Sequence, residues 1–411
     1  MKMIIYSDRI YMDNAVRSGY LEIENGKFVR FYEKDTDLKP DIDFGSNRII
    51  PGIIDTHNHG CYGYAMSAAE IPTLDDVRGY LKGLASSGVT GVFPTTIHIE
   101  TIKLLVDHMN DNFDGARILG IHSEGPWGAR VGEKGVNTGY PSVDMEHAQK
   151  MLDAGQGHLL LIDIAPEVPG ALEAIRFFVS RGVKVGAYHT NANYREANAG
   201  IDAGITVATH LGNVMTGLHH RDIGTLGACL FRPEVDCEVI CDGLHVSLEM
   251  IKLYFKVKDT SRFMMVSDNV AYAGLPVGHY LGSASQQGNQ TNGQVSDRKT
   301  IYVNEEGFVL SETGRLSGSS KPVLYGIRNL VEINKMPLEE VVKMSSLNPA
   351  RKYGFGDVKG SIAVGKDADF VVIDDDYNAL YTYCEGRKVY DRSVDTDLFN
   401  KEFYDSIRLD D

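Results

Sequence analysis

The sequence predicts an α/β protein, a (β/α)8 TIM-like barrel with a small β-sandwich module built from both chain ends. Three observations predict it. Eight short apolar runs alternate with helical periods through the middle of the chain. The two ends carry short alternating bursts of the kind that antiparallel strands show. And 411 residues exceed the ~250 of such a barrel by about one small module.

The module is expected from residues 1–50 plus 359–392. MIIYSD, RIYMDN and GYLEIENGKFVRFYE alternate in short runs, and Asn25-Gly26 is a hairpin signal. DADFVVIDDD and ALYTYCEGRKVYD return to the same pattern, with a turn at Gly386. Residues 393–411 are then a C-terminal tail.

The barrel is expected over 51–358. IIPGIIDTHNH, GVTGVFPTT, RILGIHSEGP, HLLLIDIAP, VKVGAYHTN, ITVATHLGN, EVICDGLHV and FMMVSDNVA read as buried strands. Helical segments separate most of them. In TLDDVRGYLKGLASSG, Leu74, Val77, Leu81, Leu84 and Ala85 share a face, Thr73 with Asp76 resembles an N-terminal cap, and Gly88 ends the segment. ALEAIRFFVSRG and SLEMIKLYFK repeat the theme. Runs buried on both faces with helical returns mean a parallel sheet. Eight suggest closure, with a doubly wound open sheet as the alternative. Residues 283–298, SASQQGNQTNGQVSDR, break the rhythm and are expected to be a polar surface loop between two strands of a hairpin insert.

Composition limits function. A formal net charge of −15 repels nucleic acid and anionic lipid, so an anionic substrate needs a local group of cations. Cys61, Cys229, Cys237, Cys241 and Cys384 are few, odd in number and unevenly spaced, which argues for reduced thiols. Cys237 and Cys241 lack the second pair a zinc site needs. Asp8 and Arg9 interrupt the N-terminus before a signal-like run develops, and no stretch reaches the ~18 apolar residues of a membrane span. A cytoplasmic location is expected, with neither nucleic acid nor membrane as a partner.

The chemistry sits at the strand ends. His57 and His59 end the first strand, two apart and so on one face. Glu124 ends the third, His189 the fifth, His210 the sixth and Asp268 the eighth. In an α/β barrel these ends form one mouth. A single strand-end histidine is more often a hydrogen-bonded structural group. Six such residues together are costly to bury unless paired or metal-bound. His122, two before Glu124, is expected to support it; His158, at a strand start, belongs to the floor; His98 and His108 are surface groups; Cys61 and Trp127 pack near the mouth. Imidazoles with carboxylates and no thiolate suit Zn²⁺, Fe²⁺, Mn²⁺ or Co²⁺. Asp268 is placed to carry a proton from water to a leaving nitrogen.

At these residues the sequence resembles the N-acetylglucosamine-6-phosphate deacetylases of the amidohydrolase superfamily, over nearly the whole chain. PGIIDTHNHG is similar to the family's first-strand metal motif, and HSEGPW to its Glu-Gly-Pro signature. HTNANYREANAGIDAGITVATHLGNVMTGLHHRDIG resembles the stretch with both later histidines, SDNVAYAGLPVGHY the segment with the catalytic Asp, and NPARKYGFGDVKGSIAVGKDADFVVID the superfamily's C-terminal signature.

The resemblance implies that Glu124, His189 and His210 hold one divalent metal. His57 and His59 would help hold a second, with Glu124 bridging and Asp268 beside the metals as catalytic acid–base. It implies that Asn213, the backbone at Val214, Arg221 and His245 bind the phosphosugar, that Leu316 and Gly318 in RLSGSSKPV keep a substrate-side Leu-x-Gly-Ser core, and that the protein is a homodimer. Three positions depart. Asn137 replaces a histidine that contacts the substrate, Gly212 replaces an aromatic residue and is expected to open space, and Lys321 replaces an apolar residue. The activity the resemblance implies is deacetylation of N-acetylglucosamine 6-phosphate to glucosamine 6-phosphate and acetate. A related acetamido sugar phosphate, another amide or cyclic amide, and a catalytically dead barrel that only binds are the rivals. No Lys stands in APEVP to bridge two metals as in cyclic-amide relatives.

Overall fold

A computed structural model describes residues 2–13, 15–68, 70–129, 142–282, 300–311, 314, 316 and 318–409. Parallel strands form its centre. Ile53–Asn58, Val89–Pro94 and Arg117–Ile118 make one sheet. Ile121–Trp127, Leu159–Ile164, Lys184–Ala187, Ile205–Ala208, Asp236–Val239 and Phe263–Met265 make the other, in chain order. The edges meet through single parallel bridges, Thr95 with His122 and Asn58 with Asn269. All eight expected strands are present, with RILGIHSEGP divided between the sheets because pairing lapses at Leu119 and Gly120.

Parallel neighbours cannot be joined by a tight turn, so a helix returns the chain each time. These are Leu74–Ala85, Ile99–His108, Met145–Gly155, Ala171–Val179, Tyr194–Ala203, Gly224–Phe231, Leu248–Val257 and Val323–Glu332. The first shows why sequence suffices locally. Thr73 and Asp76 form a full capping box, and Val77, Leu81, Leu84 and Ala85 are buried on one face. One apolar core runs between these helices and the strands.

The two chain ends share one sheet. Its order is Arg387–Asp391, Ala379–Cys384, Phe370–Ile373, Arg48–Pro51, Lys2–Tyr11, Val16–Glu24 and Lys27–Glu33. The ends meet where Phe370–Ile373 runs antiparallel to Arg48–Pro51. Asn25 and Gly26 both take positive φ, 51° and 79°, in the expected hairpin turn. This sheet has its own core, including Ile5, Ile10, Leu21, Phe28 and Phe370.

An ion network links this sheet to the parallel strands. Lys359 Nζ lies 2.9 Å from both Asp367 Oδ2 and Asp369 Oδ2. Asp369 Oδ1 accepts from the Glu385 amide, and Glu385 pairs with Arg117 at 2.8 Å. Burial pushes the Asp367 carboxyl up, but Lys27 and Lys359 outweigh it and hold it below its ordinary value. A depressed carboxyl stabilises the fold fully above the unfolded value of about 3.9, and that contribution fades as pH falls through the lower folded value. Lys359→Met leaves Asp369, only 5% exposed, without its cation. Burial holds the Asp369 carboxyl above its ordinary value even with Lys359 beside it, so a loss of about 3–5 kcal/mol is expected at pH 7, already narrowing before about pH 4 is reached as that carboxyl protonates. Denaturant unfolding of both proteins at the two pH values checks it, and a pH-independent difference contradicts it.

Gly278–Leu281 pairs antiparallel with Thr300–Val303, as expected for a hairpin insert. Residues 283–298, expected as its loop, lie outside the described residues. The expected tail contains a helix, Lys401–Ile407, whose Phe403, Tyr404 and Ile407 pack on Tyr272 and Tyr280 beside that hairpin. Among the described residues no helix is long and apolar enough to cross a membrane.

Candidate active site

The six expected ligand residues come together at the C-terminal ends of the parallel strands. His57 closes Ile53–Asn58 and His59 follows it. His189 and His210 each lie two residues beyond a strand, and Asp268 three beyond Phe263–Met265. Glu124 lies inside Ile121–Trp127 rather than at its end. Register with the next strand breaks there, so that Ser123 faces Ile162 and Trp127 faces Ile164. Three residues therefore oppose one, a bulge of the kind that re-aims a side chain.

Backbone strain places the others. His189, His210 and Asp268 all have left-handed φ, of 37°, 35° and 52°. Each such non-glycine residue costs of order 1–3 kcal/mol, strain that clusters at functional sites.

Glu124 is the hub. Its Oε1 lies 2.8 Å from His210 Nε2 and 3.2 Å from His189 Nε2. Its Oε2 lies 3.1 Å from His59 Nε2 and 3.8 Å from His57 Nε2. Asp268 Oδ1 lies 3.3 Å from both of these last nitrogens. His57 and His210 are wholly buried, whereas His189 is 23% and Asp268 14% exposed, so the cluster is closed on the His57 and His210 side and open on the other.

Burial disfavours charge on His57, His59, Glu124 and Asp268, yet mutual attraction wins. His57 is held well above the ordinary imidazole value, against burial, by Asp268 and Glu124; His59 is raised to about 9 by the same two acids. Burial raises Glu124, but His189, His210 and His57 bring it well below its ordinary value. Asp268 is likewise depressed, its burial outweighed by His57 and His59.

These atoms fit a divalent cation. Bonds of 2.0–2.2 Å in tetrahedral geometry set ligand atoms roughly 3.3–3.6 Å apart, and the separations here run from 2.8 to 3.8 Å. Glu124 with His189 and His210 forms one such group, and Glu124 with His57 and His59 another. His210 Nδ1 and His57 Nδ1 are buried without a hydrogen-bond partner.

Surrounding residues hold this cluster. His122 Nε2 pairs with Asp163 Oδ2 at 2.8 Å, and Thr209 donates to the other oxygen of that acid. His122 therefore packs under His57 rather than joining the ligands. Asp163, Glu238 and Asp242 were not singled out by sequence reasoning. A signal existed, an acid set within or directly after an apolar strand, as in HLLLIDIAP and EVICDGLHV.

The expected substrate positions divide. His245 Nδ1 bonds Asp242 Oδ2 at 2.7 Å, which outweighs burial and raises its pKa. Gly318 precedes Ser319, whose carbonyl accepts from the Val270 amide in the Asp268 loop. Leu316 bridges to Leu310 in Val309–Ser311, the strand that pairs with Thr300–Val303. The Asn213 amide bonds the His210 carbonyl, and the Val214 carbonyl accepts from Thr190. Gly212 does not open space: with φ at 87°, a Cβ there would strike the hydroxyl of buried Tyr254. Lys321 is held by the Glu306 carbonyl and lies over the Phe308 and Tyr325 rings. Asn137 lies outside the described residues. Arg221 is exposed and lines a separate cavity of about 440 Å³ with Arg195, His219 and His220, a lining that includes none of the six ligand residues. The five cysteines are buried and free, as expected.

Comparison with known proteins agrees with this geometry. The amidohydrolase family model matches residues 48–396. The chain is 31% identical to the N-acetylglucosamine-6-phosphate deacetylase of Vibrio furnissii, over 90% of each protein. It is 30% identical to the N-acetylgalactosamine-6-phosphate deacetylase of Escherichia coli O157:H7, over 82% of this chain and 87% of that one. The structure of the N-acetyl-D-glucosamine-6-phosphate deacetylase of Mycobacterium smegmatis superposes with a TM-score of 0.82 at 27% identity, over 94% of this chain and 99% of that one. With ligand-type residues gathered at the strand ends and a family model spanning most of its length, this chain belongs to the amidohydrolase family.

Proposed function

We propose that this protein hydrolyses the acetamido group of N-acetylglucosamine 6-phosphate, releasing glucosamine 6-phosphate and acetate. The observation that carries the proposal is Glu124, whose two oxygens face separate histidine pairs, with Asp268 alongside. We further infer that the strands close into a (β/α)8 barrel over 51–358, that 1–50 plus 359–392 form the second module, and that the enzyme is a cytoplasmic homodimer.

His57, His59, Glu124, His189, His210 and Asp268 would hold one or two divalent ions, with Zn²⁺ first among Zn²⁺, Fe²⁺, Mn²⁺ and Co²⁺. Such an ion supplies Lewis acidity at the acetamide carbonyl and makes water acidic near neutral pH. The chain supplies the rest. Asp268, an anion at neutral pH, accepts the attacking water's proton as the new C–O bond forms. It returns that proton to the sugar nitrogen as the C–N bond breaks, so the amine departs neutral. His245, oriented by Asp242, donates from its other nitrogen to the substrate. Arg221 pairs with the phosphate; since its cavity lacks the ligands, that contact is made to a substrate held by the other protomer. Charge-assisted bonds of this kind let a −15 protein take an anion.

Two measurements test this. Acetate release across N-acetyl amino sugar 6-phosphates should be fastest for the gluco compound. Faster release from the galacto compound reassigns the sugar, in line with the Escherichia coli relative, and no release from any substrate supports a binding protein. Arg221→Ala should raise KM for the phosphorylated substrate by about 10–100-fold, the worth of one to two charge-assisted hydrogen bonds, and leave the dephosphorylated sugar unaffected. Equal effects on both remove Arg221 from the phosphate site.

A further inference from the structure

We infer that Glu238 is a positioning residue that fixes a proton on His57 Nδ1, leaving the Nε2 lone pair for a divalent cation; this rests on the metal-dependent reading above. His57 and Glu238 are both wholly buried. The two ends of the His57 ring face different surroundings. Nε2 looks into the cluster, 3.1 Å from His59 Nε2 and 3.3 Å from Asp268 Oδ1. Nδ1 looks away from it, toward Glu238 Oε2 at 3.5 Å.

Nδ1 and Oε2 are both buried with no hydrogen-bond partner. Leaving such atoms unmatched costs about 1–3 kcal/mol each. Glu238 cannot turn freely, because Thr56 donates to its other oxygen at 2.6 Å. Oε2 therefore stays beside the imidazole, and closing the gap to an ordinary N–H···O length of about 2.9 Å needs only a small rotation.

The neighbouring histidine is not a substitute. His122 lies edge-on to His57 with ring centres 4.5 Å apart. Its Nε2 is taken by Asp163 at 2.8 Å, and its Nδ1 faces the Thr56 carbonyl at 3.1 Å. His57, His122 and Glu238 are close enough together to suggest a third cation site. These existing bonds make the group a hydrogen-bond junction instead. An imidazole can ligate through Nε2 only if Nδ1 keeps the proton, and a carboxylate facing Nδ1 enforces that tautomer.

The test is a Co²⁺ titration of the metal-free full-length protein, followed by calorimetry and by the visible absorption of bound Co²⁺. Wild-type protein should take up two ions. Glu238→Leu, which removes the acceptor, should weaken the site containing His57 and His59 by about 100-fold. Glu238→Gln should weaken it by only about 10-fold, since its amide oxygen can still face Nδ1 while Thr56 accepts from the amide nitrogen. The site of Glu124, His189 and His210 should keep its affinity in both. If Glu238→Leu fails to fold, Glu238→Gln decides alone. Wild-type affinities in Glu238→Gln, or equal weakening of both sites with a fall in Tm, overturn the inference. Wild-type protein that takes up no Co²⁺ overturns the metal-dependent reading itself.

Discussion

Asp268→Asn is expected to bind metal nearly as the wild type does while kcat falls by about 10²–10⁴-fold, the usual worth of a positioned acid–base group. The substitution keeps the shape of the side chain and an oxygen within reach of His57 and His59. It removes the charge that these imidazoles stabilise, and with it the ability to take a proton. Asp268 is well placed for that task because the strand has already ended at Met265 and the left-handed turn at residue 268 carries the carboxyl over the cluster. The loop is held by three backbone hydrogen bonds, two to the His57–His59 segment and one to Ser319. The Asp268 amide donates to the His57 carbonyl, the His59 amide to the Asn269 carbonyl, and the Val270 amide to Ser319. Metal content and single-turnover rate check the prediction together. Unchanged turnover removes the proton-carrier role, and loss of metal with turnover makes Asp268 a ligand and nothing more.

The six clustered residues were legible because strand geometry is simple. His57 and His59 are two apart, and period-two alternation alone puts them together. His189, His210 and Asp268 could be located because each closes an apolar run, and parallel strands gather such ends on one side. What the sequence could not carry was backbone conformation. Nothing in GAYHTN or VATHLGN announces a left-handed histidine, since the strain is imposed by the surrounding fold. Glu124 was misplaced as a strand end because a bulge is invisible to alternation. Gly212 was misread for a related reason. A missing side chain looks like a vacancy in a string of letters, whereas here the hydroxyl of Tyr254, forty-two residues on, occupies that space. Lys359, Asp367 and Asp369 stood inside a recognisable segment, but their link to Glu385 and Arg117 is a contact across 268 positions of chain. Arg221 marks the remaining gap, because it lines a cavity that none of the six clustered residues shares, and spacing along the chain does not give that placement.

Glu124→Gln tests the hub itself, and its expected effect is the largest. Each of the two histidine pairs reaches the same carboxylate through a different oxygen. An amide can offer one neutral oxygen to one pair and must turn an N–H₂ group toward the other. One site therefore loses its anionic ligand, and the other meets a donor where an acceptor is required. Uptake of both ions should weaken by more than about 100-fold, and hydrolysis should fall at least as far as in Asp268→Asn, because both cation and geometry are lost. Stability supplies a readout free of catalysis. A ligand bound only by the folded state stabilises it by about 4 kcal/mol when present at 1,000 times its Kd. Adding Zn²⁺ or Co²⁺ to metal-free wild-type protein should thus raise Tm. The same addition should leave Glu124→Gln unmoved, although its fold lacks nothing but one charge. If the variant's Tm still climbs as the wild type's does, the ions are held elsewhere and Glu124 does not bridge them.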